Sequence, residues 1–334
     1  MPANGSPMDP DAPLNERSLI ARFFKDCGAH RSDVAVGVGD DAALLDVPAG
    51  MQLVAKTDTL VSGVHFLSHF PAASIGHRAL AVNLSDVAAM GAEPAWALLA
   101  LTLPTADEGW LREFAAGLGA LARKHNVALV GGDTTSGPLC VTVQVLAYAP
   151  RPPVMLRSGG KPGDVLFVSG TPGDAGAGLA LEQGKLPNAA PAAADYLRQR
   201  FLYPTPRVEL GRRLRPFASA CIDVSDGLLG DAGKLADASR CGVVIEHDRL
   251  PVSAHLASTV GDTRARELAL TAGDDYELCF AVSPANVEAM TRELPPAEWG
   301  YGPIGVLRSE PGAVVTRGGT VMHFSHSGFD HFAR

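Results

Sequence analysis

Aspartate recurs beside glycine, serine or threonine in five stretches of this chain: GVGDDAALL, KTDTLVSGVHF, NLSDVAAMGA, GGDTT and DVSDGLLGD. Each reads as the end of a short apolar segment. Gathering like charges is unfavourable: two carboxylates about 4 Å apart repel by about 4 kcal/mol at an effective dielectric of about 20. A fold that collects these stretches must therefore place a cation among them. Oxygen donors without histidine or cysteine select hard ions, Mg²⁺ above all, and Mg²⁺ usually arrives with phosphates. Singly, each stretch is also an ordinary turn or helix cap, and Ser225 in DVSDGLLGD could be a plain N-cap. Together they predict magnesium-dependent phosphate chemistry.

Two glycine-rich segments, GGDTT and TPGDAGAG, offer backbone N–H groups to phosphate oxygens. The second also reads as a plain helix-start turn. No GxxxxGK[ST], HExxH or GxSxG occurs, and neither HRD nor DFG is present. A nucleotide would need a fold other than the P-loop or protein-kinase folds. In GVHFLSH the histidines His65 and His69 stand four apart on a stretch that reads extended. His65 is therefore better placed to touch a substrate than to ligate a metal. Arg157 is either a solvated surface arginine or a charge clamp on phosphate.

The elements that must position these residues alternate between strand and helix patterns. Asn15 caps a first helix with Leu19, Ile20, Phe23 and Phe24 on one apolar face. A strand over 34–38 runs into Gly39-Asp40-Asp41, and a strand over 53–56 delivers Thr57-Asp58. The helix predicted over 73–90 carries Asn83 and Asp86 on one face. A capping box at Thr105–Glu108 opens the next helix. Strands over 127–130 and 139–147 complete the first half, with GGDTT following the former. The Pro- and Gly-rich segment 149–164 is the expected boundary. Beyond it, a strand over 165–169, the glycine turn 171–178, a strand at 221–223, a helix from about Asp226 and a strand over 243–246 are expected.

The chain has 334 residues, 46% of them hydrophobic and 19% charged, which fits two globular domains. A net charge of −8 argues against nucleic acid or an anionic membrane as partner. Five scattered cysteines without a CxxC read as reduced thiols of a cytoplasmic protein. Residues 1–15 read as a disordered tail. The longest apolar run, Ala95 to Leu103, is too short to cross a bilayer.

GVGDDAALL, TDTLVSGVHF, ALAVNLSDVAAMGAEP, GGDTT, SGTPGDAGAGL, DVSDGL, GDDYEL and GFDHF resemble, in this order and over nearly the whole chain, the thiamine-monophosphate kinase family. That family lies near aminoimidazole ribonucleotide synthetase, selenophosphate synthetase and a hydrogenase maturation factor. The resemblance implies an N-terminal α/β domain over 16–150, for ATP and Mg²⁺ binding and dimerisation, and a C-terminal α+β domain over 151–334. It implies a cytoplasmic homodimer that phosphorylates thiamine monophosphate to thiamine diphosphate with ATP, the final step of thiamine diphosphate biosynthesis. Magnesium ligands then fall on Asp41, Thr57, Asp58, Asp86, Asp133, Asp223 and Asp226, with Asp58, Asp86 and Asp133 central to catalysis. Nucleotide contacts fall on Gly132, Asp133, Arg157 and Ser225, and acceptor contacts on His65, Asp274 and Phe329. Three departures touch the periphery of the site. Lys56 stands where Ser or Thr is common, Asp274 replaces a Glu, and Phe329 lacks the hydroxyl often found there.

The acceptor is already an ionised phosphate monoester, so its oxygen needs no general base. Direct in-line transfer with charge neutralised by several Mg²⁺ ions is expected. The alternatives are another ATP-dependent synthetase of the superfamily and a non-catalytic nucleotide-binding regulator.

Overall fold

The computed structural model describes residues 15–151, 154–326 and 328–329; the expected N-terminal tail, Asn15 aside, lies outside them. Asn15 makes a capping box with Ser18, each side chain bonding the other's backbone N–H. The helix Glu16–Leu19 then widens into a π-turn over Ile20–Phe24. Leu19 and Phe24 are buried, whereas Ile20 and Phe23 are only half-buried. The apolar face is narrower than its periodicity predicts, because a wider turn shifts the residues that follow it around the axis.

Two compact units result. The first takes in residues through Ala49, Ala55–Asn83 and Pro94–Ala147; the second takes in Gly50–Val54, Leu84–Glu93 and the chain from Tyr148 onward. In the first unit β1 (Val34–Val36) and β2 (Leu44–Leu45) form a small antiparallel pair. The main sheet is built from β3 (Met51–Val61), β4 (Glu93–Leu103), β5 (Ala128–Ser136) and β6 (Cys140–Pro150), in the order β3-β6-β4-β5. Along β6 every second residue is buried, so one face of the sheet meets the core.

Two strands run further than expected, for separate reasons. Past Lys56, Thr57 Oγ1 donates to Val143 O at 3.3 Å and Thr59 meets Thr142 hydroxyl to hydroxyl at 2.8 Å, which keeps β3 on β6. In β5 the GGDTT segment stays inside the ladder, Gly132 opposite Leu99 and Asp133 opposite Ala100 of the parallel β4. A Cβ on Gly132 would lie 1.8 Å from Leu99 O, so only glycine lets the two backbones lie this close.

The helices Ala72–Ala89 and Glu108–Lys124 meet through glycine in the same way. A Cβ on Gly117 would lie 2.0 Å from Ala73 O. The second helix is capped by Asp107, whose carboxylate accepts from Trp110 N at 2.6 Å, and not by Thr105. An anionic cap also complements the helix dipole, which a threonine cannot do.

The second unit is a seven-stranded sheet in the order β13-β12-β9-β11-β7-β10-β8. Its strands are β7 (Val165–Ser169), β8 (Ala218–Val224), β9 (Gly242–Glu246), β10 (Glu277–Val282), β11 (Tyr301–Arg308), β12 (Gly312–Arg317) and β13 (Thr320–Met322). All pairs are antiparallel except β12 with β9. Buried on both faces, β10 runs between β7 and β8.

Glu277 opens β10 and is fully buried, yet it is well matched. Arg207 donates to both its oxygens at 2.6 Å, Arg200 at 2.7 Å and the Ser169 hydroxyl at 2.5 Å. Burial alone would raise its pKa; the two guanidiniums outweigh that and hold the carboxyl below its ordinary value. The neighbouring Asp275 accepts from Gly173 N at 2.7 Å and Ala175 N at 3.2 Å. The TPGDAGAG turn thus spends those N–H groups on an internal carboxylate: it is the start of helix Asp174–Glu182 and not a phosphate cradle. Asp174 is buried too, bonded by Thr171 at 2.5 Å, Ser253 at 2.6 Å and Tyr196 at 3.1 Å. Burial pushes the carboxyls of Asp174 and Asp275 up, Asp275 well up.

Two predictions follow from this packing. Glu277→Gln leaves two arginines without their shared anion and is expected to lower stability by about 3–5 kcal/mol, read as a urea-denaturation midpoint. A variant within about 0.5 kcal/mol of wild type would show the network to be dispensable. The second concerns His125, just past helix Glu108–Lys124. Burial first, then Lys124 and His77, lower its pKa from 6.5 to about 4. It stays neutral in the folded state while the unfolded chain takes up a proton, so stability is lost as pH falls from about 6.5 to about 4. His125→Gln should flatten that part of the denaturation-versus-pH curve, and an unchanged slope counts against the assignment.

Candidate active site

The first unit displays three of the expected aspartates on different supports. Asp58 lies inside β3, not at its end, with Lys56 Nζ 3.3 Å from its carboxylate two residues along the same strand face. Asp133 lies inside β5 and is exposed. Asp41 lies in the bend between β1 and β2, its N–H bonded to Asp40 Oδ1 at 2.8 Å. Asp41, Gly132 and Asp133 line one open cleft of about 1340 Å³, with Arg17 and Lys25 on its wall. Asp58 is not among its lining residues. The order β3-β6-β4-β5 puts Asp58 and Asp133 on opposite edge strands, three strand spacings or about 14 Å apart along the sheet.

His65 sits in the turn after β3, where its Nδ1 accepts from Val61 N at 3.0 Å. The backbone N–H fixes the ring and leaves Nε2 as the donor nitrogen. Thr57 is exposed on the strand face opposite Asp58, its hydroxyl donating to Val143 O.

Asp86 is half-buried on helix Ala72–Ala89. Asn83, expected on its face, is instead wholly buried and donates to Ala79 O at 3.0 Å. Three residues along a helix share a face only loosely, and Asn83 falls on the core side of that face.

In the second unit Asp223 is buried at the penultimate position of β8. The turn that follows, Ser225 to Gly227, is organised from beneath by Asp231 of helix Leu228–Ala238. One oxygen of Asp231 accepts from the N–H groups of Ser225, Asp226 and Gly227 at 2.9, 3.0 and 3.2 Å. These donors are consumed internally, so the hydroxyl is what Ser225 has to offer a phosphate. Lys234 bridges Asp226 at 2.6 Å and Asp231 at 2.8 Å. Burial would lower the Lys234 pKa, but the two carboxylates outweigh it and raise it. Asp231 and Lys234 escaped the sequence reading, although DGLLGDAGK places an acid and a base one turn apart on a helix face.

Three backbone bonds lace the rest of this cluster to that turn. Asp274 N donates to Ser225 O, Tyr276 N to Val224 O and Phe329 N to Asp226 O, each at 2.8 Å. Ser225, Asp226, Asp274 and Phe329 thus come together in one place. Arg157 is exposed, and its carbonyl accepts from the Ser239 hydroxyl at 3.0 Å.

Among the described residues no three His, Cys, Asp or Glu side chains are grouped as a metal site. The donor set nevertheless fits a hard divalent ion: it is all oxygen, and two of its carboxylates, Asp58 and Asp226, already sit against ammonium groups. Comparison with known proteins gives this geometry its context. Residues 39–149 match the family described as AIR synthase related protein, N-terminal domain, and residues 161–317 match its C-terminal domain. The thiamine-monophosphate kinase of Salmonella typhimurium is 46% identical over 319 residues, covering 95% of this chain and 98% of its own. The crystal structure of thiamine-monophosphate kinase from Stenotrophomonas maltophilia K279a superposes with a TM-score of 0.81 at 45% identity, over 88% of this chain and 93% of that one. AaThiL complexed with AMPPCP and TMP superposes with a TM-score of 0.75 at 32% identity, over 88% and 92%. The chain belongs to the thiamine-monophosphate kinase family, with both domains of the AIR synthase-related fold.

Proposed function

We propose that this chain transfers the γ-phosphoryl group of ATP in line to thiamine monophosphate, yielding thiamine diphosphate as the final step of its biosynthesis. The observation that carries this is a kinase relative of 46% identity spanning 95% of the chain. The relative complexed with AMPPCP and TMP supports the choice of substrates.

In this reading Asp41, Thr57, Asp58, Asp86, Asp133, Asp223 and Asp226 hold several Mg²⁺ ions. When bound, the metal supplies positive charge between two polyanions and so lowers the cost of their approach. Gly132, Asp133, Arg157 and the Ser225 hydroxyl bind ATP. Lys56 and Lys234 hold Asp58 and Asp226 while metal is away. For the acceptor, His65 offers an imidazole N–H and Asp274 a carboxylate. Phe329, 56% exposed, offers a ring face to the thiamine cation, a contact of about 0.5–2 kcal/mol. The acceptor phosphate is already ionised, so no residue has to remove a proton.

A homodimer formed through the first unit fits the same reading. Among the described residues no further strand pairs with β3 or β5, the Gly28 bridge to Ala128 aside, and Leu53, Val61 and Val64 are exposed along or beside β3. A second copy pairing at both edges, β3 on the partner's β5 and β5 on the partner's β3, would set Asp58 of each chain near the strand that carries Asp133 in the other. Domains over 16–150 and 151–334 are part of the proposal. Five unpaired cysteines are in keeping with a cytoplasmic location, and burial pushes the Cys27 thiol up to about 11. Among the described residues no helix is long and apolar enough to cross a membrane.

ADP release with Mg-ATP, measured with and without thiamine monophosphate, tests the reading. Acceptor-dependent ADP, with thiamine diphosphate identified by chromatography, is expected; release indifferent to the acceptor would sink it. Asp58→Ala should cut kcat at least about a hundredfold while leaving the thermal transition in place. Near-normal turnover at saturating Mg²⁺ would remove Asp58 from the metal set.

A further inference from the structure

The segment Ala272–Tyr276, between helix Asp262–Thr271 and β10, holds two non-glycine residues in left-handed backbone: Asp274 at φ +70° and Tyr276 at φ +52°. Aspartate visits that region at modest cost, but a bulky aromatic there is an outlier that its surroundings must enforce. The enforcement is visible on every side. Glu277 is pinned by two arginines and Ser169, and Asp275 is buried on Gly173 N and Ala175 N. Asp274 N and Tyr276 N are both tied to the 224–225 backbone. A Cβ on Gly273 would lie 2.5 Å from Ser225 O, so the two backbone segments are in direct contact.

This conformation sends Asp275 inward and brings the side chains on either side of it together. The Tyr276 hydroxyl donates to Asp274 Oδ1 at 3.0 Å. Tyr276 is 8% exposed and Asp274 half-buried. The ring of a phenylalanine would occupy the same space, so the hydroxyl is a polar group directed at one carboxylate oxygen. Strain held in place by a rigid surround is a feature of functional segments.

We propose that Tyr276 is a positioning residue for the acceptor. Its hydroxyl holds one oxygen of Asp274, so that this short carboxylate presents a fixed face to the cationic, amino-bearing rings of thiamine monophosphate. The proposal rests on the kinase reading above and adds to it a determinant of acceptor affinity distinct from the metal carboxylates. Tyr276 acts through Asp274 and touches neither ATP nor metal.

The test is a double-mutant cycle of Tyr276→Phe and Asp274→Ala on the full chain. The KM for thiamine monophosphate and for ATP, kcat, and calorimetric binding of thiamine monophosphate in the presence of AMPPCP are measured for each. Tyr276→Phe should raise the acceptor KM and Kd about five- to twentyfold, leave kcat within about twofold and leave the ATP KM unchanged. In the Asp274→Ala background the same change should add nothing. An unchanged acceptor KM, equal shifts in both substrates' KM, or an undiminished effect without Asp274 would each overturn it. A loss of thermal stability with no change in acceptor binding would assign the hydroxyl to folding alone. Wild type that neither binds nor turns over thiamine monophosphate would instead overturn the kinase reading and this inference with it. Active wild type with an indifferent Tyr276→Phe overturns only the inference.

Discussion

A carboxylate taken out of water must be met by a cation or by several hydrogen-bond donors, and three such places fix the segments that carry the candidate site of the second unit. Glu277 is met by Arg200, Arg207 and Ser169, Asp275 by two backbone N–H groups, and Asp231 by three backbone N–H groups and Lys234. None of the three faces a substrate in the proposed reaction. They fix the start of β10, the turn before helix Asp174–Glu182 and the turn after β8. Asp226, Asp274 and Phe329 hang from the segments so fixed.

The division between buried and displayed carboxylates has a consequence for the proposed reaction. Glu277, Asp275 and Asp231 have spent lone pairs on internal donors. Asp58 and Asp226 are paired with lysine side chains that are partly exposed, a partner that solvent weakens and a divalent ion could displace. Arg200 is mostly buried and bound to Glu277, so it cannot be exchanged in this way. The same residue type therefore does two jobs, set by burial and by the stiffness of its partner.

The first unit poses the opposite problem. Its sheet holds Asp58 and Asp133 rigidly, but on opposite edges, and β5 reaches its place only because Gly132 allows backbone contact with β4. A rigid sheet positions each carboxylate well and cannot bend to unite them. That is the physical ground for a partner copy in the proposed assembly.

The fold class and the family were legible in the sequence. The alternation of strand and helix patterns implied the α/β character. The order of the motifs carried the family. Strands run on through Thr57 and GGDTT although local propensity ends a strand at Gly and Asp, because cross-strand partners, Val143, Thr142 and Leu99, decide whether the ladder continues. The glycine turn TPGDAGAG looked able to cradle phosphate; only the tertiary structure brought Asp275 beneath it from a hundred residues away to claim its N–H groups. Residue types and spacing determined where the carboxylates stand in the chain. Which of them remain displayed, and which are consumed inside, was decided by long-range packing, because a buried polar group must find its partner wherever the fold supplies one.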